Sequence, residues 1–179
     1  MTTRRPADRQ DGPGFFDQSG EPEREPLPPS AARRALVIEA DGGSRGNPGP
    51  AAYGALVRDA LTAEVLMSEG LTIGVASNNV AEYRGLIAGL EMAREIDPDA
   101  PVEVRMDSKL VIEQMAGRWK VKHPNMRPLA LEANGLRPRQ ATWTWIPREE
   151  NKQADALVNR ALDGEPVHRG IVEPRAGNH

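Results

Sequence analysis

The run Leu36-Val37-Ile38-Glu39-Ala40-Asp41, followed at once by Gly42-Gly43-Ser44-Arg45-Gly46-Asn47-Pro48-Gly49-Pro50, leaves this chain few folding options. The apolar, β-branched run reads as a buried strand that ends in a carboxylate. The glycine- and proline-rich stretch behind it reads as a turn that lets other backbone or a ligand come close. Asp41 then sits where a strand releases its chain at the rim of a sheet. Asp-Gly is also ordinary turn chemistry, so Asp41 gains meaning only from acidic residues farther along.

The rest of the chain supplies a mixed α/β pattern. Residues 34–41, 51–58 and 64–72 read as three strands with short connections, hence an antiparallel meander. Val80, Tyr83, Ile87 and Leu90 then recur at helical spacing over 77–93, and Asp97-Pro98-Asp99 ends that helix. Val102–Asp107 alternates as a fourth strand, again ending in aspartate, and Ser108–Met115 follows as a short helix. A crossover connection makes this strand parallel to the first. Residues 125–136 read as another short helix with Leu129, Leu131 and Leu136 as its apolar positions. Residues 141–146 give a fifth strand, and 152–162 a last helix stopped by Asp163-Gly164. One domain is therefore expected over 34–163, with a disordered tail over 1–33 and a flexible one over 164–179.

The chain has no cysteine, which excludes disulfides, thiolate zinc sites and cysteine nucleophiles and fits a cytoplasmic setting. No apolar run approaches the roughly 20 residues that span a bilayer, so no membrane partner is expected. Net charge is −3, whereas a protein that holds nucleic acid by bulk charge is usually basic. Contact with nucleic acid would need a local basic patch, or metal ions bridging acidic side chains to phosphates.

Four carboxylates suit the second route. Asp41 and Asp107 end two strands expected to be parallel neighbours, at the end of the sheet where ligands collect. Glu82 is placed in the first turn of the long helix and Asp155 in the first turns of the last one. Each has a plainer alternative. Asn79-x-x-Glu82 matches a capping box, Asp107 could cap the helix that follows, and Asp155 could lie on a solvated face. Converging acids repel unless a hard cation sits between them, and oxygen-only ligands favour Mg²⁺ or Mn²⁺. Two such ions about 4 Å apart clamp the attacking and leaving oxygens of an in-line phosphoryl displacement.

Asp41-Gly-Gly-Ser-Arg-Gly-Asn-Pro-Gly, Ser77-Asn-Asn-Val-Ala-Glu82, Met106-Asp107-Ser108 and Asn151-Lys-Gln-Ala-Asp155-Ala-Leu together resemble the ribonuclease H family, type I, over residues 34 to about 163. The resemblance implies a five-stranded mixed sheet of order 3-2-1-4-5, with the first three strands antiparallel and helices on its faces. It implies endonucleolytic cleavage of the RNA strand of RNA–DNA hybrids by a two-metal-ion mechanism, leaving 5′-phosphate and 3′-hydroxyl ends. Asp41, Glu82, Asp107 and Asp155 match the metal-binding acids, with Glu82 also orienting the water and the neighbouring 2′-OH. Ser44, Asn47, Asn78 and Asn79 match positions that touch the hybrid's minor groove, and Ser108 and Asn151 are taken as further substrate contacts.

Two departures from that family stand out. The loop before Asp155 carries Pro147-Arg148-Glu149-Glu150 where the best-known members have a histidine, so Arg148 is the candidate to contact the scissile phosphate. The basic substrate handle is reduced to a loop holding Trp119, Lys120 and Lys122, which would stack beside the DNA strand and meet its phosphates. A monomer with no obligate protein partner is expected. The competing readings are a nuclease of the same fold acting on double-stranded RNA, and a catalytically silent hybrid-binding module. A P-loop phosphatase or ATPase is disfavoured because the glycine stretch at 42–49 has no lysine.

Overall fold

The computed structural model describes residues 34–172. The tail expected over 1–33 lies outside the described residues. The elements run β1 (Leu36–Ser44), β2 (Gly49–Asp59), β3 (Val65–Ala76), α1 (Asn78–Ile96), β4 (Val102–Met106), α2 (Lys109–Met115), α3 (Arg127–Gly135), β5 (Ala141–Trp145), α4 (Lys152–Leu162) and β6 (Val167–Ile171). A short 3₁₀ turn at Arg148–Glu150 leads into α4.

The sheet order is β5-β4-β1-β2-β3-β6. β1, β2 and β3 pair antiparallel, whereas β4 lies parallel to both β1 and β5. The expected order of the first five strands is thus present, with one strand added at the β3 edge. That strand corrects the boundary drawn at 163, because residues 167–171 pair antiparallel with β3. Its recruitment is electrostatic: Arg169 reaches Glu69 at 3.0 Å on β3, and Glu91 at 2.7 Å and Glu95 at 2.6 Å on α1. Tyr53 donates its hydroxyl to the same Glu69, so this buried carboxylate is fully engaged.

Several bounds moved for local reasons. β1 runs on through Gly42 and Gly43 to Ser44 because the ladder with β2 continues to Ser44↔Ala51. The turn is therefore only residues 45–48, closed by Arg45 N–H donating to the Pro50 carbonyl at 2.8 Å. In α3, Leu129, Ala130 and Ala133 face inward, while Leu131 is 73% exposed. A step of two residues turns Leu131 to the far side of the helix from Leu129.

The larger core lies between the sheet and α1, α2 and α3, and includes Ile38, Val57, Tyr83, Leu86, Leu90, Val104 and Met115. α4 covers the opposite face over β1, β2 and β3. α1 lies unusually close to β1. A Cβ on Gly85 would stand 2.6 Å from the Asp41 carbonyl oxygen, one on Gly42 would overlap the backbone of Ala81 and Glu82, and one on Gly89 would overlap Ile38. Glycine is required at 42 and 85 because backbone meets backbone there, and at 89 because the helix lies on the Ile38 side chain. Among the described residues no helix is long and apolar enough to cross a membrane.

Gly85→Ala tests this contact. The substitution favours an isolated helix by about 1 kcal/mol, yet overpacking against β1 costs about 1–3 kcal/mol. Thermal unfolding followed by circular dichroism is expected to fall by several degrees. An unchanged or raised midpoint would show that α1 does not lie this close.

Candidate active site

β1 and β4 run parallel with Leu36 opposite Val102 and Glu39 opposite Arg105. Asp41 and Asp107, each two residues past the last of these pairs, therefore emerge at the same end of the sheet. α1 brings Glu82 to them over the glycine contact at Gly42 and Gly85. Carboxylate oxygens of Asp41, Glu82 and Asp107 all lie within 4.8 Å of one another, a grouping that could hold a metal ion.

The plainer alternatives for two of these acids fall away. Ser77, not Asn79, caps α1, with its side chain accepting from Val80 N–H. Glu82 is consequently two residues deeper than a cap at Asn79 would place it, and the first turn of α1 holds no acid. Ser108, not Asp107, caps α2 by accepting from Val111 N–H.

Burial and crowding raise the proton affinity of Asp41 and Glu82. Burial, then the neighbouring Asp107 charge, push the Asp41 carboxyl up to about 7, although Gly42 N–H donates to it at 2.9 Å. Glu82 is held well above the usual carboxylate range, chiefly by burial and then by Asp41 and Asp107. One of its oxygens, Oε2, is buried without a hydrogen-bond partner among the described residues.

Asp155 stands outside that group of three. It lies in the first turn of α4 and lines the same cleft, of about 410 Å³. Arg148 pairs with it at 3.3 Å, and Asn159, one turn along α4, donates to both its carboxylate and its carbonyl. The pair draws Asp155 toward Arg148, whose own pKa is raised by that contact. Position i+4 from an acid was the signal that could have singled out Asn159.

The proposed substrate residues divide. Asn78 Oδ1 accepts from Ser44 N–H at 2.8 Å and Asn47 Oδ1 accepts from Asn78 N–H at 3.1 Å, so these three lace the turn after β1 to the start of α1. Asn79 is exposed beside them. Trp119 is 46% exposed and flanked by exposed Lys120, with exposed Lys122 beyond, so the basic loop presents its indole to solvent rather than to the core. Ser108 and Asn151 also make internal contacts, and Asn151 is the correction because it is buried. The Ser108 hydroxyl accepts the α2 cap bond and keeps its own O–H to donate, whereas Asn151 is 1% exposed. Asn151 instead donates from Nδ2 to Ala40 O at 2.9 Å and to Asp107 Oδ1 at 3.0 Å. Trp145, which the sequence did not single out, donates its indole N–H to the Asp107 carbonyl at 3.1 Å.

Residues 39–161 match the family model described as Reverse transcriptase-like. The chain is 32% identical over 141 residues to the Ribonuclease H of Hydrogenovibrio crunogenus, covering 69% of this chain and 92% of that protein. This chain belongs to the ribonuclease H family. It is also 44% identical over 125 residues to the Ribonuclease HI of Halobacterium salinarum, covering 69% of this chain and 62% of that one. A solved N-terminal RNase H domain from Mycobacterium tuberculosis superposes with a TM-score of 0.71 at 53% identity, over 74% of this chain and 96% of that one. LC11-RNase H1, solved in complex with an RNA/DNA hybrid, gives 0.69 at 40% identity, over 72% of this chain and 97% of that one. A bifunctional protein of M. tuberculosis is 55% identical over 130 residues, and the chain spans only 35% of its length. The ribonuclease H-like fold is thus established, as the sheet order had indicated.

A carboxyl that binds its proton more tightly when folded favours folding at low pH. For Asp41 that contribution is complete below about 4 and disappears as the pH rises towards about 7. Metal-free protein is therefore expected to melt at progressively lower temperature between pH 5 and pH 8. Asp41→Asn should raise the midpoint at pH 8 by roughly 2–6 °C, measured in chelator by differential scanning calorimetry. A lower midpoint for the variant at pH 8 would show that the carboxylate is not under repulsion.

Proposed function

We propose that this chain is an endoribonuclease that hydrolyses the RNA strand of RNA–DNA hybrids, releasing 5′-phosphate and 3′-hydroxyl ends. The observation that carries the reading is the Asp41–Glu82–Asp107 cluster: three carboxylates crowded into one cleft, one of them with a buried, unpartnered oxygen. The arginines lining that cleft are already committed, Arg148 to Asp155 and Arg45 to Asp163. An all-oxygen set short of positive charge fits a hard divalent cation. Asp41, Glu82, Asp107 and Asp155 would hold two Mg²⁺ or Mn²⁺ ions. Bound there, such ions supply a more acidic water and positive charge for the oxygens of a phosphoryl displacement.

The protein's own groups define the rest. Water attacks phosphorus, the ribose 3′ oxygen departs and takes up a proton, and the phosphate stays on the 5′ side. Glu82 orients the attacking water and the adjacent 2′-OH from the inner wall of the cleft. Ser44, Asn47, Asn78 and Asn79 offer short polar groups for 2′-hydroxyls and base edges in a wide, shallow minor groove. In the interactions above Asn47 and Asn78 use Oδ1, and among the described residues Nδ2 of each has no partner. Arg148, with its side chain 77% exposed at the mouth of the cleft, takes the scissile phosphate. Trp119, Lys120 and Lys122 meet the DNA strand, which makes binding strongly salt-dependent. The hybrid-bound relative supports hybrid as the substrate, and we propose that the protein acts as a monomer.

The deciding assay offers end-labelled RNA–DNA hybrid, duplex RNA and duplex DNA with and without Mg²⁺. Cleavage of the hybrid's RNA strand alone, and only with metal, is expected. Binding without cleavage would instead indicate a silent module, and cutting of duplex RNA a different polymer preference. Asp107→Asn should leave less than about a thousandth of the rate while the protein stays folded. Arg148→Ala should lower turnover roughly 100-fold, and unchanged turnover would remove Arg148 from the site.

A further inference from the structure

We propose that Asn151 is a positioning residue for the acidic cluster: one buried amide sets the separation of Asp41 and Asp107. The inference deepens the functional reading above and rests on it.

The hydrogen-bonded register between β1 and β4 stops at Glu39↔Arg105. Ala40 and Asp41 on one side, and Met106 and Asp107 on the other, lie beyond it. No register pair joins Asp41 to Asp107 themselves, just where the two carboxylates repel each other. Asn151 fills that gap. Its Nδ2 donates to the carbonyl of Ala40, the residue before Asp41, and to Oδ1 of Asp107. A single planar amino group thus bridges the ends of the two parallel strands with both of its hydrogens. The backbone carbonyl of Asn151 also accepts Asp155 N–H at 3.1 Å, fixing the first turn of α4. One residue is bonded to Asp107 and Asp155 and to the peptide unit that leads into Asp41.

The orientation of the amide is forced. Both neighbours of Nδ2 are acceptors, so turning the group over would set oxygen against two oxygens. Oδ1 is left buried without a partner among the described residues, although the residue is 1% exposed. An apolar side chain would avoid that loss. The amide offsets that loss because no other side chain of this size provides two donors on one atom. Asp107 is then held from two sides, by Asn151 through its carboxylate and by the Trp145 indole through its carbonyl. That fixes which carboxylate oxygen faces away from the amide. Partners of this kind orient ligands and typically govern affinity by 10- to 100-fold.

The test compares wild type, Asn151→Ala and Arg169→Ala. The last variant loosens β6 without touching the cleft. Mn²⁺ alone is titrated by calorimetry, hybrid cleavage is followed at several Mn²⁺ concentrations, and thermal midpoints are recorded. For Asn151→Ala, Mn²⁺ affinity is expected to fall roughly 10- to 100-fold and kcat by a similar factor, with KM for hybrid within about twofold. Added Mn²⁺ should restore part of the lost rate. Arg169→Ala should melt earlier yet keep wild-type Mn²⁺ affinity and kcat. If Asn151→Ala melts earlier but binds Mn²⁺ and cleaves like wild type, Asn151 is only a structural residue and the inference is overturned. Should the alanine variant not fold, Asn151→Ser, which retains a single donor, is expected to show an intermediate loss of Mn²⁺ affinity, and wild-type affinity in it overturns the inference equally. A wild-type protein that neither binds Mn²⁺ nor cuts hybrid would overturn the functional reading itself, and this inference with it.

Discussion

The closeness of α1 to β1 is what the remainder of the molecule depends on. Gly42 and Gly85 let helix and strand backbones meet, and Gly89 lets the helix lie directly on the Ile38 side chain. Only at that separation can the Glu82 carboxylate share a site with Asp41 at the strand's end. The glycines cost chain entropy, and the helix and strand recover it by burying Ile38, Leu86 and Leu90 between them. Packing energy from an apolar core thus holds together acids that would otherwise separate.

The second face of the sheet repeats the device. A Cβ on Gly54 would overlap the Ala154 carbonyl and Leu157, so α4 also rides close over β2. Asp155 reaches the cleft from that side, on the first turn of a helix whose N-terminal N–H groups favour negative charge. The cleft is therefore built from two helices laid on opposite faces and two strand ends between them. Its arginines sit at the edge, exposed, where they can exchange partners.

Much of this was legible in the sequence. β-branched runs ending in aspartate marked β1 and β4, and the spacing of Val80, Tyr83, Ile87 and Leu90 marked α1. The antiparallel meander and parallel crossover followed from connection lengths. What stayed hidden came from contacts between distant residues. An asparagine after Arg148-Glu149-Glu150 reads as exposed, and nothing local says that it is 1% exposed and bonded to Ala40 and Asp107. β6 lacks a run of apolar residues, because an arginine held by three glutamates anchors it. The pairing of Asp155 with Arg148 likewise reflects a turn geometry, the 3₁₀ step at 148–150, that composition does not encode.

β6 runs antiparallel to β3, with Ile171 opposite Met67, near the β2–β3 connection. Leu36 stands opposite Asp59, beside the same connection. Both ends of the described chain therefore leave from the pole of the sheet away from the carboxylates. A dye or surface linker fixed to residue 34 or residue 172 would therefore leave on the far side of the sheet from the cleft.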